Sequence, residues 1–87
     1  MADPVSWLVI ETGWKVVSTD GQDLGRVQEV LGDQESDIFN GLAVNTGALG
    51  KPKVVPAENV AEIVEGEITL DLTADAVGRL ADHEPAL

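Results

Sequence analysis

Eighty-seven residues make one domain, and they include no cysteine, which excludes disulfides, thiolate catalysis and zinc–thiolate sites. Sixteen acids against five Lys and Arg leave a formal net charge of -11, which opposes binding to nucleic-acid phosphates and to anionic membrane surfaces. Hydrophobic residues make up 44% of the chain, enough for a packed core, although a core this small gains from self-association.

In chain order, residues 1–12 form a lead-in. Pro4 disfavours regular structure at the start. The start also lacks the basic region of a signal peptide, and the apolar run over 7–10 is too short to span a bilayer. The expected location is therefore the cytoplasm, with no membrane contact. The run over 7–10 is expected to be a short strand or a turn packed over one end of the fold. Trp7 and Trp14 are expected to plug the core, because large aromatics dominate small interiors.

A hairpin organises the rest of the chain. One strand is expected over 14–18 and its return over 24–31, folded back through Asp20-Gly21. Asp-Gly is a strong hairpin signal because glycine adopts the turn conformation without strain. Gly25 marks a bend or bulge in the returning strand. Leu24, Val27 and Val30 are spaced by three, which strict alternation cannot place on one face, so a bulge is expected between Val27 and Val30.

The stretch 32–37 is polar and reads as a loop. A third strand over 38–46 is apolar on both faces: Ile38, Leu42 and Val44 on one, Phe39 and Ala43 on the other. A glycine-rich connection occupies 47–52. A fourth strand over 53–56 follows Pro52 and closes on Pro56, and the two prolines put it at an edge or an end. An irregular turn over 57–59 leads to a fifth strand over 60–64, a turn at Glu65-Gly66, and a sixth strand over 67–72 with Ile68, Leu70 and Leu72 facing in. Thr73 is expected to cap a helix over 73–80, with Leu72 and Val77 at the staple positions. Residues 81–87 are a tail. Six short strands joined by short turns indicate an all-β small barrel or sandwich with one short C-terminal helix.

Candidate chemistry is sparse. Asp33, Glu35 and Asp37 have the spacing that opens a calcium loop. Ile38 and Val44 then stand where the turn glycine and the bidentate glutamate belong, so no metal site is expected. The stretch 47–51 faintly suggests a phosphate loop, but Asn45 and Pro52 replace its required glycine and hydroxyl residue. His83 is the sole histidine, which rules out histidine triads and multi-histidine metal sites. The pairs Asp20 with Asp23 and Glu65 with Glu67 are better explained by turns and a solvent face than by catalysis. No catalytic, cofactor-binding or metal-binding residue is assigned.

Five stretches together resemble the PRC-barrel family: 13–17, 20–27, 37–44, 55–60 and 65–70. That family is named for the cytoplasmic domain of the photosynthetic reaction-centre H subunit and includes the C-terminal domain of a ribosome-maturation factor. The resemblance covers about residues 13 to 72 and implies a compact β-barrel that serves as a docking module without enzymatic activity. The chain looks like the free-standing bacterial members. A protein-interaction or assembly module is expected, the alternatives being a small-ligand-binding barrel or a structural subunit of a larger complex. A basic protein surface suits the charge.

Trp7, Leu8, Ile10, Phe39 and Leu49 are candidates for an interaction patch, because one small barrel has difficulty burying them all. A homodimer is the expected way to cover it.

Overall fold

The computed structural model describes residues 6–33, 35–46 and 52–80. A 3₁₀ turn, Trp7–Val9, precedes six strands: β1 (Lys15–Val17), β2 (Asp23–Asp33), β3 (Ile38–Asn45), β4 (Lys53–Pro56), β5 (Val60–Val64) and β6 (Glu67–Leu70). A second 3₁₀ turn, Ala57–Asn59, joins β4 to β5, and a short helix, α1 (Ala74–Gly78), comes after β6. The strands form a single curled half-barrel sheet in the order β4-β3-β2-β1-β6-β5. All neighbours are antiparallel except β1 and β6, which run parallel.

The hairpin forms where Asp20-Gly21 places it. Gly21 N donates to Ser18 O and Ser18 N to Gln22 O, both at 2.9 Å. The loop is thus three residues, Thr19, Asp20 and Gly21, with Gly21 in the left-handed region at φ 85°. This is a turn closed by a left-handed glycine, the usual form of three-residue hairpins. Ser18 is fully buried. Its hydroxyl donates to the Asp20 carboxylate and accepts from Gln22 N, so the buried oxygen is satisfied.

Two bulges on β2 resolve the spacing of three. The pairing of β1 with β2 shifts at Leu24, and that of β2 with β3 shifts between Val27 and Glu29. Each extra residue flips the facing of the residues after it. Leu24 and Val27 are therefore both buried, and Val30 packs against the core.

The core draws on five of the six strands, through Val16, Val27, Leu42, Val44, Val55, Ile68 and Leu70, and is closed by Val77 from α1, while Val60 and Ile63 of β5 are only partly buried against it. Both tryptophans pack against it while staying half-buried. Gly41, Leu42, Ala43 and Val44 are buried in succession, the doubly covered strand expected for β3. Ile38 departs from that expectation. It stands at the strand's first residue, beyond the core, and is 50% exposed. The sixth strand is also shorter than expected. It ends at Leu70, because Asp71 N turns to Asn59 O and Leu72 O accepts from Thr19 N, each at 2.9 Å.

Candidate interaction face at the β2–β3 turn

The loop between β2 and β3 is shaped by its own carboxylates. Asp33 Oδ1 accepts from Glu35 N at 3.0 Å and from Ser36 N at 3.4 Å, and Asp33 Oδ2 accepts from the Ser36 hydroxyl at 3.2 Å. Asp37 then adopts a left-handed conformation, φ 53°, which aspartate tolerates better than most residues. Its carboxylate accepts a hydrogen bond from the Trp7 indole, Nε1 to Oδ1 at 3.1 Å. The loop is therefore tied to the N-terminal 3₁₀ turn across thirty positions of sequence.

That tie sets two rings face to face. Trp7 and Phe39 stack with centroids 5.1 Å apart and planes 10° from parallel. Both are half-buried. Leu8 and Val9, next to Trp7 in the chain, are 43% and 49% exposed, and Ile38, next to Phe39, is 50% exposed. An open depression of about 390 Å³ beside the stack is lined by Trp7, Val30, Gly32, Asp33 and Glu35. Another, of about 320 Å³, is lined by Val9, Glu11, Trp14 and Glu65.

Of the five patch candidates, Trp7, Leu8 and Phe39 meet at this face. Ile10 does not: it is only 8% exposed and belongs to the core, because its backbone N–H closes the 3₁₀ turn on Trp7 O and the chain then heads inward. Leu49 lies outside the described residues, as do the stretch 47–51 and His83. Sequence reasoning missed Val9 and Ile38 as exposed members and Asp37 as the partner of Trp7. Nothing local marks that last pairing, since it depends on how the 3₁₀ turn folds over the sheet.

Of the carboxylates weighed as chemical groups, Asp20 and Asp23 serve turns instead. Asp20 receives the Ser18 hydroxyl, and Asp23 Oδ1 accepts from Gly25 N at 3.0 Å. Among the described residues no group of three or more His, Asp or Glu is arranged to hold a metal ion. No helix among them is long and apolar enough to cross a membrane.

Comparison with known proteins finds no match among the curated proteins. A family model, the PRC-barrel domain, matches residues 12–77. Those residues contain all six strands and most of α1, whereas the 3₁₀ turn bearing Trp7, Leu8 and Val9 lies just before them. With three quarters of its length matched and a six-stranded curled sheet in place, the chain belongs to the PRC-barrel domain family.

Proposed function

We propose that this protein is a non-enzymatic protein-interaction module that docks through the face built by the 3₁₀ turn and the start of β3. The observation that carries the reading is the Trp7–Phe39 stack with Leu8, Val9 and Ile38 exposed along its two segments. Large apolar side chains grouped beside half-exposed rings are the usual mark of a binding surface, with aromatics as anchors. The absence of enzymatic activity is supported by carboxylates engaged in turns and by depressions that open to solvent. A cytoplasmic location suits a chain without cysteine, which needs no oxidising compartment.

A second copy is one occupant of this face. Burial of Leu8, Val9 and Ile38 in a symmetric homodimer favours association, while Asp33, Glu35 and Asp37 at its margin oppose it. Salt screens that repulsion, so the dimer forms at moderate salt and weakens as ionic strength drops. Sedimentation equilibrium of the parent and of the Leu8→Ser, Ile38→Ser double variant tests the reading. The parent dimerises and the variant stays monomeric. A parent monomeric at every protein and salt concentration removes the homodimer, and equal association of parent and variant removes this face from the interaction.

A further inference from the structure

We propose that the preferred occupant of this face is a segment of another protein in which basic and apolar side chains alternate, an inference that rests on the interaction-module reading above. The ring stack has acids of one sign beside it. Asp33, Glu35 and Asp37 are all exposed, and each lines the depression next to Trp7 or bonds to its indole. Two of the described cations have partners elsewhere, and two stand at the other end of β2. Arg79 pairs with Asp75 at 3.0 Å. Lys53 Nζ donates to Leu80 O at 3.3 Å. Lys15 and Arg26 face each other in the β1–β2 register, near the start of β2, whereas Asp33 is the last residue of that strand.

Each part of the face suits one part of such a segment. A half-buried tryptophan that lines the depression can meet a lysine or arginine there, a pairing that strengthens as water is excluded. The alkyl stem of that side chain can cover Leu8 or Ile38 while its charged end stays near the carboxylates. Apolar residues of the segment cover the rest. A second copy of this chain satisfies only the apolar half, because it brings three more carboxylates to the same place. The two occupants therefore respond to salt in opposite senses. The basic segment binds more weakly as salt rises, and the homodimer forms more readily.

The test is titration of the full chain with a synthetic peptide of alternating lysine and leucine, monitored by calorimetry. A peptide with glutamate at each lysine serves as control. The Glu35→Gln, Asp37→Asn double variant removes two charges at the face, and asparagine keeps both the left-handed preference and an acceptor for the Trp7 indole. The Glu58→Gln, Glu62→Gln pair removes the same charge elsewhere, at two exposed positions around β5. The lysine peptide should bind saturably, lose about fivefold to tenfold in affinity in the first pair and change little in the second. The first pair should meanwhile dimerise more readily in sedimentation. Equal losses in both pairs overturn the proposal in favour of net charge alone, and so does equal binding of the glutamate peptide. No peptide binding by a chain that still dimerises through Leu8 and Ile38 overturns the basic partner and leaves the interaction module standing.

Discussion

Gly21 and Gly25 both have positive φ, 85° and 137°, yet their surroundings differ. A Cβ at Gly21 meets no atom within 4 Å, whereas one at Gly25 overlaps the carbonyl oxygen of Asn45 on the neighbouring strand. Gly21→Ala should therefore cost only the left-handed strain, about 1–2 kcal/mol. Gly25→Ala adds an overpacking penalty of about 1–3 kcal/mol, because backbone rather than a flexible side chain must yield. Urea unfolding of the two variants checks the order, and a Gly25→Ala protein as stable as Gly21→Ala contradicts the close approach. At the same scale, Asp37 serves both the turn into β3 and the position of the Trp7 ring.

Among the elements, α1 depends most on its surroundings. Five residues cannot hold a helix in water by themselves, because nucleation outweighs the few bonds gained. Thr73 supplies the cap, its hydroxyl accepting from Ala76 N at 3.2 Å, and Val77, 2% exposed, supplies the anchor. Lys53 from β4 reaches the carbonyl of Leu80 just past the helix end, where a cation is favoured. Thr73→Ala should lower stability by about 1 kcal/mol. Val77→Ala should lower it by roughly 2 kcal/mol through lost burial and the cavity left behind. Thermal melts that leave Val77→Ala unchanged exclude α1 from the core. The β2–β3 loop makes a third prediction. With Asp33 bonded to its own loop and Asp37 to Trp7, calcium calorimetry should detect no site of micromolar affinity.

At the scale of the molecule, a net charge of -11 sits on a small curled sheet with apolar side chains exposed beside one turn. Charge and apolar area act in opposite directions on self-association and in the same direction on a basic partner. The homodimer should accordingly gain at least about tenfold in association constant between low and moderate salt, as screening removes carboxylate repulsion. Sedimentation equilibrium across that range measures it, and a dimer that strengthens as salt is withdrawn shows an interface built on ion pairs instead.

Local and periodic features were legible in the sequence alone. The Asp20-Gly21 turn, the bulge after Val27, the proline-flanked edge strand β4, the limits of β5 and the Thr73 cap each arise from the conformational needs of a few adjacent residues. Family membership was legible too, because short motifs in order and spacing carry it. Only the tertiary structure decided what depends on distant segments meeting. The parallel pairing of β1 with β6 joins residues about fifty positions apart, and no local signal encodes a partner at that separation. The apolar face proposed for docking has the same origin. Ile10 and Leu8 are two residues apart and equally apolar, but the chain turns inward after the 3₁₀ turn and buries one while leaving the other exposed. Trp7 joins Phe39 because Asp37 holds its indole, and a hydrogen bond between residues thirty apart exists only once the sheet has brought both ends together.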